Sequence, residues 1–479
     1  MTEMTRRSLT GLLMGGAAGL LTPSLAAAGQ SAAEPRGWRA AFNTPPARLD
    51  AALRPLSGRL PDGLRGVLFR NGPAQFERNG ERLGHWFDGD GMVQRFEFTD
   101  AGVRHRGRFV QTDKRRDEEA AGRFLYAGFG FTPNNPRGSA RPDAINAANT
   151  SILPFGDEIW ALWEGGSPWR VDAETLDTLG RQAFEGGADG LPFSAHPKRD
   201  RDGTIWNFGG FGRRAVIWRL DRNGALERIQ LLELPAAGLM HDFAITERFI
   251  LLIIPPLILE GPVANNLVDA FQWRPDEPLR IAVIDKATLT VQSVREAPAR
   301  FLFHVGNAYE EADGTIRFDA FLTRTAQFAT GAARALPQGR YVDEPGARPC
   351  LITLPPSGGV AIDVHDGEGE FPQIDPRLAT RPHTRLYGMT GTGVGCWDWR
   401  SGAVRRFDYE PDYWAEEPLF IPRSPSDPGG WLVTTAFNGA AERTELHVFQ
   451  AEALDDGPVA SFACPYALPL GFHGAFVRA

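Results

Sequence analysis

Nine histidines punctuate this chain: His85, His105, His196, His241, His304, His365, His383, His447 and His473. Four of them stand in distinctive short settings. His196 lies in "SAHPKRD", His241 in "MHDFAIT", His304 in "FLFHVGNAYEE" and His473 in "LGFHGAF". Apolar or small neighbours allow each ring to be held inside a fold. An isolated histidine is more often structural than a ligand, so the case rests on whether the four converge. Imidazole nitrogens suit iron, copper, nickel or zinc. Four neutral donors leave a divalent ion's charge uncompensated, and carboxylates hydrogen-bonded to the far ring nitrogens would orient the rings and supply that charge.

Successive members of the set are 45, 63 and 169 residues apart. Such gaps rule out one metal-binding helix. They suit ligands delivered by separate elements to a common axis. The elements read as strands. Short apolar runs such as "GVLFRNG", "VQRFEFTDAG", "DEIWALWEGG", "GTIWNFGGFG", "GTIRFDAFL" and "GWLVTTAFNG" are bounded by Gly, Asp, Pro and Asn turns. Helical periodicity is scarce, with a short helix expected at "DEEAAGRFL" from Asp117, and "EPRGWRAAFNTPPARLD" reads as an irregular lead-in. No composition shift marks a linker. This many strands in one unbroken domain favours a β-propeller over a single sandwich. The number of blades does not follow from visible repeats.

Composition narrows the function classes. The 479 residues carry a net charge of −8 with no basic block, which argues against nucleic acid as a partner. Cys350, Cys396 and Cys464 form no CxxC pair, so neither a zinc ribbon nor a disulfide framework is indicated. Residues 1–30 read as an export signal. Arg6-Arg7 precede an apolar run from Gly11 to Leu21, followed by small residues at Ala26 to Ala28. The run is too short to span a bilayer, and "TRRSLTGLL" resembles the twin-arginine type. The expectation is an exported, periplasmic protein whose residues 31–479 form a single propeller domain.

Ten motifs carry a family resemblance: "RNGPAQFE", "HWFDGDGMVQRFEF", "NAANTSI", "ALWEGGSPWRVDAETLDTLG", "AHPK", "HDFAIT", "FHVGNAYEE", "EFPQIDPR", "EPLFIPR" and "GFHG". Their order resembles that of the carotenoid cleavage oxygenase family, from about Arg54 to Val477. The resemblance implies an all-β, seven-bladed propeller with Fe(II) at its axis, capped on one face by loops and short helices. It implies His196, His241, His304 and His473 as the iron ligands, with Glu164, Glu370 and Glu417 behind three of them; "EP" favours Glu417 over Glu416. The terminal strand is then expected to deliver the fourth ligand and close the ring. His85, Asp88 and Asp90 in "GHWFDGDGM" suggest calcium at first sight, but the family uses this stretch as a structural hairpin. The other four histidines match no ligand motif and are assigned to structure or surface.

The implied reaction is cleavage of a carbon–carbon double bond by O₂ to two carbonyl products. Phe303, Trp163 and Phe472, close to ligands in sequence, are candidates for an aromatic wall, with core packing as the competing role. The family's stilbene branch grips a phenol through a tyrosine and a lysine. Here Phe109 stands at the expected tyrosine position, and "GSARPDAI" holds no lysine, only Arg141. A carotenoid or apocarotenoid is therefore the expected substrate, with a stilbene the alternative. Two rivals remain: a metal-free propeller that only binds, and a zinc or calcium hydrolase, which lacks an evident carboxylate ligand and base. Finally, Pro255 to Trp273, with Leu257 and Leu259, reads either as a buried strand or as an apolar rim touching a membrane leaflet.

Overall fold

A strand that is apolar at every position must be covered on both faces. Phe249–Ile254 ("FILLII") shows how the chain meets that demand. Ile250, Leu252 and Ile254 face one neighbouring sheet, packing with Trp206, Phe208 and Ile217. Leu251 and Ile253 face the other, packing with Phe318, Ala320 and Ile352. Sheets stacked in this way around a centre make a propeller. The structure, a computed structural model, describes residues 34–479 except 140, 261, 262 and 264. The export-signal reading therefore lies outside the described residues. Glu34–Ala479 form one compact unit.

Seven sheets are the blades. The second to sixth are meanders of four antiparallel strands, running from an inner strand to a solvated outer one. Their inner strands are Ser151–Phe155, Lys198–Arg199, Phe243–Ile245, Val305–Glu310 and Glu370–Gln373. The first and seventh blades are interlaced. Arg48–Ala52 is the outer strand of the first blade, and the next strand, Arg54–Gly58, is the outer strand of the seventh. At the other end, Gly474–Arg478 pairs with Gly66–Gln75 and becomes the innermost strand of the first blade. The ring is thus closed by both ends of the chain. Each seam between blades is filled by one apolar cluster; Leu68, Phe96, Val433 and Phe462 join the first blade to the seventh.

Irregular segments cap the face from which the inner strands start. The expected helix forms at Asp113–Ala121, four residues earlier than its acidic run suggested. Thr112 caps its N-terminus, and Gly122, at φ 65°, ends it before "RFL". The lead-in contains a 3₁₀ turn, Trp38–Phe42, whose Trp38 stacks on Trp414. The apolar segment after the second histidine motif forms a hairpin, Leu257–Leu259 against Phe271–Trp273. Leu257 is 1% exposed and packs with Phe301, Ala326 and Ala329. A charge at Leu257 is therefore a core defect, and the rim reading fails at that residue. Ile258, Leu259, Phe271 and Trp273 remain partly exposed, and Val263 is 47% exposed.

Candidate metal centre

The inner strand of the seventh blade is Leu419–Pro422, paired with Gly430–Asn438, and the leading ends of the inner strands meet around the axis. Across the blades, the residues at or just before those ends are Thr150, His196, His241, His304, Glu370, Glu417 and His473. Four imidazoles, two carboxylates and one threonine thus meet around the axis, an arrangement that no local spacing reveals. The ligand nitrogens of His196, His241, His304 and His473 all lie within 4.8 Å of one another. His241 Nε2 is 3.0 Å from His196 Nε2 and 3.1 Å from His304 Nε2. Two imidazole nitrogens at right angles on one ion, each about 2.1 Å from it, stand about 3.0 Å apart, so the spacing fits coordination.

Carboxylates stand behind three rings. Glu370 Oε2 is 2.5 Å from His304 Nδ1, and Glu417 Oε1 is 2.9 Å from His473 Nδ1. Glu164 Oε1 lies 3.2 Å from His241 Nδ1. Among the described residues His196 has no carboxylate on Nδ1, and its nearest is Glu164, 4.0 Å from Nε2. Burial, reinforced by the neighbouring imidazoles, holds His196 and His304 well below the usual histidine range. They stay neutral and able to donate a lone pair. Burial lowers His241 too, but the carboxylates around it, Glu164 first and then Asp242 and Glu370, together make the net shift upward. Burial raises Glu370 to about 8. Converging lone pairs in front and carboxylates behind draw positive charge to the centre. A proton on His241 meets that demand in part; a divalent ion bound by all four rings meets it fully and favours the ionised carboxylates.

The fourth histidine is held by main chain. His473 N donates to Thr150 O (3.2 Å), and Asn71 N donates to His473 O (2.8 Å). Arg70, buried beneath, donates to the carbonyls of Glu417 and Phe472. Glu416 accepts from Gly471 N rather than facing a ring.

Aromatic rings wall the centre on the capped side. Phe303 lies 5.3 Å from the His241 ring. From there, ring contacts run in a closed circuit through Phe87, Phe472, Trp86 and Phe328 back to Phe303. Phe371 stacks on His304 at 5.0 Å and holds a left-handed backbone, φ 55°, which a phenylalanine rarely adopts. Of the three aromatics expected here, Phe303 and Phe472 are in the circuit. Trp163 is half-buried and makes no ring contact among the described residues. Trp86, Phe87, Phe328 and Phe371 were not anticipated. Only Phe371, next to Glu370, carried a signal of position.

The remaining candidates have structural partners. His85 is buried, contacts Ala329 O (2.9 Å) through Nε2, and accepts from Phe87 N. Asp88 accepts from Phe129 N and Gly130 N. Asp90 faces Lys114, Arg115 and Arg78. Three cations around Asp90 exclude calcium there. His105 bonds Tyr466 and Gln94, His383 bonds Asp319, and His447 bonds Ser461. His365 is partly exposed beside Trp399. Phe109 is buried in the seam between the first and seventh blades under the Arg115 guanidinium, and Arg141 is exposed.

Comparison with known proteins finds relatives along almost the whole chain. A family model described as retinal pigment epithelial membrane protein matches residues 42–478. The chain is 28% identical to the apocarotenoid-15,15'-oxygenase of Synechocystis sp., over 95% of this chain and 99% of that protein. It is 28% identical to the isoeugenol monooxygenase of Pseudomonas nitroreducens (90% and 96% covered). It is 27% identical to lignostilbene-alpha,beta-dioxygenase isozyme III of Sphingomonas paucimobilis (91% and 96%). The crystal structure of the cobalt-substituted Synechocystis apocarotenoid oxygenase superposes with a TM-score of 0.83 at 26% identity, over 94% of this chain and all of that one. With the match running almost the length of a seven-bladed propeller, the chain belongs to the carotenoid cleavage oxygenase family and is an oxygen-incorporating oxidoreductase of that type.

Proposed function

We propose that this protein uses Fe(II), held by His196, His241, His304 and His473, to cleave a carbon–carbon double bond of a carotenoid or apocarotenoid with O₂. The observation that carries the reading is the convergence of four imidazole nitrogens within 4.8 Å beneath an aromatic wall. Bound iron would supply O₂ activation beside the alkene. The chain's own part is positional. The histidines fix the ion, and Glu164, Glu370 and Glu417 hold the rings and balance charge. Phe303, Phe87 and Phe472 offer flat apolar faces that exclude water and stabilise positive character on a polyene.

The named relatives act on apocarotenoids, isoeugenol and lignostilbenes, so the family alone does not choose the substrate. The lack of a tyrosine and a lysine at the two expected positions favours the polyene. Phe109 is packed in a seam and Arg141 faces solvent, so neither supplies the hydrogen bond a hydroxystilbene site is built on. The test is anaerobic reconstitution with Fe(II), then competitive turnover of an apocarotenal against a 4-hydroxystilbene with O₂ uptake recorded. Clear preference for the stilbene overturns the substrate assignment, and a chain that takes up no metal overturns the oxygenase reading.

Two further parts of the proposal concern place. Export through the twin-arginine leader predicts a mature N-terminus near residue 30, read by mass spectrometry of the exported protein; an intact Met1 there overturns it. Contact of the hairpin with a membrane predicts that Leu259→Glu and Val263→Glu abolish flotation with liposomes. Failure of the wild type to float removes the idea.

A further inference from the structure

Besides Glu416, a second carboxylate near the metal centre faces none of the four rings. Asp242 directly follows His241 and is 4% exposed. Its Oδ1 accepts from its neighbour Phe243 N at 2.7 Å and forms an ion pair with Lys198 Nζ at 2.8 Å. Its Oδ2 accepts from Val305 N at 2.9 Å. Lys198 lies two residues after His196, and Val305 follows His304. The third, fourth and fifth blades each bring a ligand to the centre, and each contacts this one side chain within two residues of that ligand.

We infer that Asp242 is a positioning residue that sets the mutual spacing of His196, His241 and His304 by fastening their three strands together. The inference rests on reading the four histidines as a metal site. The side chain suits the task. Three groups converge on it, one of them a cation, and a carboxylate holds all three with two oxygens. An asparagine would turn its NH₂ towards one of those groups and lose that arm. The Lys198 charge offsets the burial of Asp242. His473 needs no share in this fastening, because Asn71 and Thr150 hold it through main chain.

A purely stabilising ion pair provides the control. Lys286 Nζ, on the fourth blade, lies 2.6 Å from Asp200 Oδ2 on the third and 2.5 Å from Thr246 O. It joins two of the same blades farther along their strands, four residues past His196 and five past His241. Co(II) titration of metal-free protein, followed by visible absorption, separates positioning from stability. Asp242→Asn should weaken Co(II) binding by about 10–100-fold and alter the cobalt spectrum. Lys198→Met, which removes one arm and keeps both main-chain bonds, should change both in the same direction by less. Lys286→Met should lower the melting temperature and leave Co(II) affinity and spectrum at wild-type values. The inference is overturned if Asp242→Asn and Lys198→Met bind Co(II) as wild type does, or if Lys286→Met weakens binding equally. Failure of the wild type to bind Co(II) overturns the metal reading, and this inference with it; binding by the wild type with unchanged variants overturns this inference alone.

Discussion

At the scale of single residues, the centre couples electrostatics to geometry. Replacing His196, His241, His304 or His473 with Ala should remove bound metal, measured as metal per chain by mass spectrometry. Glu164→Gln, Glu370→Gln and Glu417→Gln should each weaken metal affinity or activity by about 10–100-fold. His85→Ala should keep the metal, since His85 bonds only main chain. His105 allows a separate test of pH dependence. Burial holds it at about 3, against 6.5 for an exposed imidazole. The unfolded chain therefore takes the proton first, so the stability tied to a neutral His105 is full above about pH 6.5 and is lost as pH falls towards 3. Between about pH 4 and 6 the wild type should lose about 1.4 kcal/mol more per pH unit than His105→Gln, read from denaturant unfolding at several pH values. Equal slopes would mean that His105 is protonated in the fold.

At the scale of elements, strands with two covered faces carry the packing. Leu251→Ala and Leu252→Ala point to opposite seams from adjacent positions, and each should cost about 2–5 kcal/mol. Leu231→Ala, on the solvated outer strand of the third blade, should stay within about 0.5 kcal/mol. Chemical denaturation distinguishes these outcomes. The capping segments have a different task. Phe328 begins a π-helical turn at Phe328–Ala332 and is 36% exposed while its ring reaches Trp86 and Phe303. It stands where the aromatic circuit meets solvent. Phe328→Ala should raise KM for a long polyene several-fold and leave kcat within about twofold, because binding surface is lost and the metal ligands are untouched. A fall in kcat alone would place Phe328 in the chemistry instead.

At the scale of the whole molecule, ring closure and the proposed fourth ligand meet in one strand. Gly474–Arg478 is the inner strand of the first blade, and His473 leads into it. Deleting residues 474–479 should remove both the closure and the ordered ligand, whereas His473→Ala removes the ligand alone. Melting curves should place the truncated chain well below His473→Ala, with neither retaining metal; equal curves would show that the interlaced N-terminal strands suffice for closure. Much of this was legible in the chain itself. Apolar runs of strand length between turn residues marked "GTIWNFGGFG" and "GTIRFDAFL" as strands, because strand register and turn chemistry are local. The four histidines stood out by their settings, and their wide spacing already required delivery by separate elements. What lay beyond the sequence depended on contacts between distant segments. Leu257 could be rim or core on its own evidence, and only packing with Phe301 and Ala326 decided it. Trp86, Phe87 and Phe328 are ordinary aromatics until two blades bring them around one centre. Asp242 looked like the neighbour of a ligand, and only the tertiary structure turned it towards Lys198 and Val305, since a hydrogen bond across blades has no trace in local sequence.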